Sequence, residues 1–153
     1  KRDFGRLLAG MLLGGAGVCA WKHKGEEQSR KDAVKYLNLF RTMNQYVVTK
    51  QRHKELADYF EEKGYRKLAI YGMSHIGQRI IDDLKDSGIE VVYGVDKRAD
   101  RLTYSLPIYD PSEALPEADA VVVTAYDFDE IAEELSGKVD FEILRFEDII
   151  FEL

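Results

Sequence analysis

Apolar and polar positions fall into short alternating blocks over the second half of the chain. Leu68-Ala69-Ile70-Tyr71 is an apolar run flanked by charge and closed by Gly72, which predicts a first strand. Ile76, Ile80, Ile81 and Leu84 then recur at helical spacing, and Gly88 stops the helix. Ile89 to Val95 reads as a second strand and Pro107-Ile108-Tyr109 as a short third. Pro111 to Leu115 predicts a brief helix. Ala120 to Thr124 is a continuous apolar, β-branched run, the signature of a central strand buried on both faces. A helix over Asp127–Leu135 follows, with Asp127 as its expected N-cap. Phe141–Leu144 gives a fifth strand, and Phe146–Phe151 a closing helical turn. Strands and helices alternating at this pitch predict an α/β fold: a five-stranded parallel Rossmann-like sheet of order 3-2-1-4-5, with helices on both faces and N-terminal helices before it.

The first half has a different pattern. Between residues 26 and 50, Val34, Leu37, Phe40, Met43 and Val47 recur at three- and four-residue steps, and Tyr36, Leu39 and Tyr46 widen the stripe. This helix is expected to pack on the body or on its copy in a second chain, a homodimer through 26–50. Polar Thr49–His53 should break it. A second helix, about Lys54–Lys63, places Leu56, Tyr59 and Phe60 on one face, and Gly64 suits a left-handed C-cap. Earlier still, Leu7–Trp21 carries no charge and lies between Arg6 and Lys22. As a helix it spans roughly 22 Å against about 30 Å of hydrocarbon. A short membrane anchor, a signal sequence and a tail without membrane contact are the three readings. The expected organisation is a basic and apolar segment over 1–25, a helical connector over 26–54 and a Rossmann-like domain over 55–153.

Charge sharpens this division. The net charge is −6, but residues 1–25 carry five basic side chains against one acid, and residues 66–153 carry nine against twenty. An acidic body repels polyanions, so nucleic acid is an unsuitable partner for it. The basic end suits anionic lipid, and if Leu7–Trp21 spans a membrane, Lys22, Lys24, Arg30 and Lys31 after it favour a cytoplasmic body tethered to the inner face of the cell membrane. The single cysteine, Cys19, excludes an intrachain disulfide, and no metal-ligand spacing is present.

Candidate chemistry gathers at the first strand–helix turn, Gly72-Met73-Ser74-His75-Ile76-Gly77. The dinucleotide fingerprint is G-x-G-x-x-G. The outer glycines are here, and Ser74 replaces the middle one. A helix N-terminus offers free amides to a phosphate, and Ser74 adds a hydroxyl. Asp96 closes the second strand about twenty residues on, where a carboxylate meets a ribose. Lys97 and Arg98 follow and suit a 2′-phosphate or another anion. Thr124 and Ala125 leave the fourth strand beside the same crevice, and Tyr126 next to them suits stacking or a lid. The cofactor-binding set is therefore Gly72, Met73, Ser74, His75, Ile76, Gly77, Asp96, Lys97, Arg98, Thr124 and Ala125. No catalytic set emerges. Tyr59/Lys63 precedes the first strand, and Tyr93/Lys97 lies along a strand whose ends are about 13 Å apart.

A resemblance adds to this reading. Leu56-Ala57-Asp58-Tyr59-Phe60-Glu61-Glu62-Lys63-Gly64-Tyr65, running into Ala69-Ile70-Tyr71-Gly72-Met73, resembles small Rossmann-like proteins encoded among bacterial polysaccharide genes. Tyr93-Gly94-Val95-Asp96 and Val121-Val122-Val123-Thr124 fit the same pattern. The body is also similar to the C-terminal Rossmann half of sugar C-methyltransferases and to the N-terminal domain of bacterial sugar acyltransferases. The resemblance covers about residues 34–153 and has glycine where Ser74 stands. It covers only the Rossmann part, so catalytic roles of the partner domains are not carried over. It implies a nucleotide or nucleotide-sugar binding accessory module in surface polysaccharide synthesis, without catalysis of its own. An NAD(P)-dependent oxidoreductase-type domain and a ligand-free scaffold docking a glycosyltransferase are the alternatives. The cofactor stays open between NAD(P) and a nucleotide sugar.

Overall fold

A computed structural model describes the backbone from Arg2 and the side chains from Glu26 to Leu153. The side chains of Leu7–Trp21, on which the anchor expectation rests, lie outside the described residues. Among the described residues no helix is long and apolar enough to cross a membrane. The chain divides into two compact units, Lys1–Phe40 and Arg41–Leu153. Helix α1 (Arg2–Gln51) forms the first unit and gives its last turns to the second. In the described part of the first unit, Val34, Tyr36, Leu37 and Phe40 are all exposed, Phe40 by 67%.

The second unit is built on five parallel strands: β1 (Lys67–Tyr71), β2 (Glu90–Val95), β3 (Ile108–Tyr109), β4 (Ala120–Val123) and β5 (Glu142–Arg145). Their spatial order is β3-β2-β1-β4-β5, as the alternation predicts. The register of β1 on β2 shifts between Leu68 and Ala69, and its pairing with β4 is regular. Every residue of β4 and all of β1 after Lys67 are buried, because both strands are covered on two faces. Side chains alternate between those faces. Ala69, Tyr71, Tyr93, Val95, Val121 and Val123 pack with Ile131 and Leu135 of α4 (Phe128–Ser136). Ile70 points the other way, under Gly77 of α3 (His75–Leu84).

The remaining helices are α2 (Leu56–Lys63), which touches α3, and α5 (Phe146–Glu152) at the end of the chain. Gly64 caps α2 in the left-handed conformation, with φ 84°. At the opposite end of the strands from the α3 turn, Asp119 Oδ2 accepts the amides of Arg66 at 2.6 Å and Lys67 at 2.7 Å, tying the start of β1 to the approach to β4. Those two bonds hold the Asp119 carboxyl below the usual carboxylate range.

α1 ends at Gln51, inside the polar Thr49–His53 segment expected to break it, and Thr49 itself is helical and 2% exposed. Two expectations need correcting. First, the apolar stripe is not the docking face of this helix end. Within the second unit, the face that packs is Thr42, Gln45, Tyr46 and Thr49, while Val47 stays exposed. The reason lies in α5. Its final carbonyls have no intrahelical donor. Gln45 Nε2 and Thr49 Oγ1 both donate to the carbonyl of Ile150, at 3.2 and 3.4 Å, and the Tyr46 ring meets Phe146. A polar face is therefore the docking face. Second, Pro111–Leu115 forms only a turn. Asp110 Oδ1 accepts the Ser112 amide and Glu113 Oε1 accepts the Asp110 amide, a reciprocal capping box, but Pro116 follows before a helix can propagate. Asp127 takes the expected N-cap position of α4, without a side-chain cap bond.

Candidate functional site

The C-terminal ends of β1, β2 and β4 meet at the point where strand order reverses, and the Gly72–Gly77 turn sits there. Gly72 has φ 97°, a conformation that L side chains rarely adopt. A Cβ on it would stand 2.6 Å from Thr124 Oγ1. That hydroxyl donates to the Gly72 carbonyl at 2.8 Å and lies 3.1 Å from the Tyr71 carbonyl. Thr124 therefore fastens the end of β4 to the turn. Gly77 has a different task. A Cβ there would run into the Gly72 carbonyl oxygen and stand 3.3 Å from Ile70 Cγ2. Its bare backbone lets α3 lie against β1.

Asp96 is the second fastening. Only 8% exposed, it accepts the Met73 amide on Oδ2 at 3.0 Å. Its Oδ1 accepts the Arg98 amide at 2.9 Å and Arg98 Nε at 3.3 Å. The Met73 carbonyl accepts the Tyr104 hydroxyl at 2.8 Å. Met73 is buried, with its sulfur seated over Gly94, so it and buried Ile76 offer only backbone to a ligand. Ser74 and His75 are exposed. Ser74 is the N-cap of α3 in extended conformation, its hydroxyl makes no cap bond, and the first bond of the helix runs from the Gln78 amide to the Ser74 carbonyl. The amides of Ser74, His75, Ile76 and Gly77 thus precede the first helical donor, the Gln78 amide, in the way that makes a helix start attractive to anions.

The sequence-derived residues converge as follows. Gly72 to Gly77, Asp96 and Thr124 form one connected unit, Ala125 borders Gly72, and Lys97 and Arg98 are exposed beside Asp96. Tyr126 is 51% exposed. Sequence reasoning missed Tyr104, which is thirty-one positions from its acceptor at Met73. It also missed Tyr71, the last residue of β1. Its hydroxyl is buried and finds no partner among the described residues. Among the described residues no group of three His, Cys, Asp or Glu side chains could hold a metal ion.

A family model described as the D-isomer specific 2-hydroxyacid dehydrogenase NAD binding domain matches residues 33–139, more than half of the chain. The chain belongs to this family. The matched span of this 2-hydroxyacid dehydrogenase NAD-binding domain includes the Gly72–Gly77 turn, Asp96 and Thr124. The family supports a nucleotide-type small ligand and favours the oxidoreductase-type alternative over the accessory role in polysaccharide synthesis. No curated protein and no solved structure matches the chain.

Tyr71 also makes the domain sensitive to alkali. Burial, followed by the charge of Glu134, pushes its hydroxyl up to about 12. Tyr93, whose hydroxyl donates to the Pro116 carbonyl at 2.7 Å, is pushed up to about 12 by burial and then by Tyr109. An unfolded tyrosine ionises near pH 10, earlier than these folded ones. Their contribution is therefore complete below about pH 10 and is lost as pH rises toward 12. Tyr71→Phe should flatten that loss and leave neutral stability unchanged or raised by up to about 1 kcal/mol, since no bond is broken. Tyr93→Phe should cost about 1 kcal/mol, because its bond is real. Urea denaturation at pH 7 and pH 11 distinguishes the two.

Proposed function

We propose that this protein binds an NAD(P)-type dinucleotide, with the pyrophosphate at the start of α3, as the cofactor-holding part of an oxidoreductase. The observation that carries the reading is the uncapped helix start behind a positive-φ glycine, set at the strand-order reversal. There Ser74 and His75 face solvent and the turn is fixed by Asp96 and Thr124. The residues fit the group at its phosphates. Amides from Ser74 to Gly77 supply donors, the Ser74 hydroxyl adds one more, and Thr124 and Ala125 wall the β4 side. A bound nicotinamide would supply hydride chemistry, and the chain's own residues would hold and orient the dinucleotide.

Ser74 is where the turn departs from the three-glycine fingerprint. Its Cβ stands where a pyrophosphate presses closest to the backbone. Ser74→Gly is expected to tighten NAD(P)H binding about tenfold, which corresponds to about 1.4 kcal/mol. Calorimetric titration of both proteins checks this. Equal affinity would show that the phosphate does not lie over Ser74. No detectable heat or competition with any dinucleotide, for either protein, would defeat the reading.

A nucleotide-sugar module of surface polysaccharide synthesis is the second proposal, supported only by the resemblance of Leu56–Met73, Tyr93–Asp96 and Val121–Thr124. UDP-sugars titrated in parallel test it. Saturable binding of these in place of NAD(P) would favour it.

A further inference from the structure

We propose that the adenosine end of this site reads a 2′-phosphate through Arg98 and Lys97, so that the protein takes NADP(H) in preference to NAD(H). The inference rests on the dinucleotide reading above and specifies its ligand.

A carboxylate at the end of the second strand selects NAD by offering free oxygens to ribose hydroxyls. Asp96 stands at that position, but its oxygens are already engaged. The side chain is 10% exposed, and three N–H groups converge on it: the Met73 amide on Oδ2, and the Arg98 amide and Arg98 Nε on Oδ1. Asp96 works as the clamp that holds the Gly72 turn against β2. It presents little acceptor surface to a ligand.

The side chains that do face solvent there are cationic. Arg98 is 60% exposed, and only its Nε is spent on Asp96, so its two terminal nitrogens are without a hydrogen bond among the described residues. Lys97 beside it is exposed. Three other charged side chains are close in the chain or feel these two. Asp100 and Arg101 pair with each other at 3.7 Å, and Asp110, which feels the Lys97 charge, is bound to Ser112. Arg98 offsets Asp96, and Asp110 stands against Lys97, so what this edge offers a ligand is the exposed cationic donors of Arg98 and Lys97 and not a net charge. A guanidinium tethered at Nε with a free fork suits bidentate phosphate recognition. A bare ribose offers that fork nothing to pair with.

The test is calorimetric titration of the full chain with NADP+ and NAD+ at equal ionic strength. NADP+ should bind at least tenfold more tightly, and the preference should shrink as salt is raised. In Arg98→Ala the NADP+/NAD+ affinity ratio should fall about tenfold, and in Lys97→Ala by a smaller factor. Circular dichroism melting of each variant establishes that both are folded. NAD+ bound as tightly as NADP+, or more tightly, would overturn this inference and leave the dinucleotide reading standing. A ratio unchanged in folded Arg98→Ala would overturn the role of Arg98. Failure of both dinucleotides to bind would sink the inference together with the function on which it rests.

Discussion

Replacing Gly77 with alanine is expected to be among the most damaging single-methyl changes in this protein, costing about 3 kcal/mol. The new Cβ would meet the Gly72 carbonyl oxygen and the Ile70 side chain. A backbone carbonyl cannot rotate away, so α3 must lift from β1 or the turn must deform. Either movement spreads the amides of Ser74 to Gly77, so ligand affinity should fall along with stability. Gly94→Ala is the matching control. There the added carbon meets side-chain atoms only, Met73 Sδ at 2.5 Å, Ile108 Cδ1 at 2.7 Å and Met73 Cγ at 3.0 Å, which can rotate where a backbone carbonyl cannot. Its cost should be about 1 kcal/mol, at the lower end for overpacking. Urea midpoints of the two variants, read with NADP+ titrations, check the contrast. Equal losses would show that helix–strand contact at Gly77 is not what limits the turn.

Asp96→Ala should cost about 2–4 kcal/mol. It strips the acceptor from the buried Met73 amide and from the Arg98 amide, and each orphaned group costs about 1–3 kcal/mol. Asp96→Asn keeps one oxygen and should recover roughly half of the loss. The NADP+/NAD+ ratio should not fall in the folded asparagine variant, because Asp96 acts on the turn and not on the ribose. If Asp96 instead accepted ribose hydroxyls directly, the asparagine variant would lose NAD+ affinity selectively, with little change in melting temperature.

Much of the fold could be read from local pattern. β1 and β4 are continuous apolar runs because both faces are covered, and the helix between Ile76 and Leu84 has a clean apolar stripe. Gly72 and Gly77 announced the turn through spacing alone, since only bare backbone serves at a positive φ or at a helix–strand contact. The second-unit end of α1 misled the pattern reading. Its docking face carries Thr42, Gln45 and Thr49, because part of what it satisfies is the Ile150 carbonyl and not an apolar surface. Pro111–Leu115 carried a valid capping signal that Pro116 cuts short.

The candidate site was legible as a set of residues and not as a mechanism of assembly. Asp96 occupies the ribose-acceptor position in sequence. Its bond to an amide twenty-three residues upstream has no local signature, and it changes the expected ligand. Tyr104 on the Met73 carbonyl and Thr124 on the Gly72 carbonyl are likewise long-range pairs. Both anchor a turn whose own residues do not reveal how it is held.

Amide chemical shifts followed during addition of NADP+ to the isotope-labelled chain test the account most directly. Saturable perturbations centred on the Ser74, His75, Ile76 and Gly77 amides, with Arg98 next, are the expected outcome. Perturbations confined to the opposite end of the strands around Ser87–Val91, or none at millimolar dinucleotide, would contradict it.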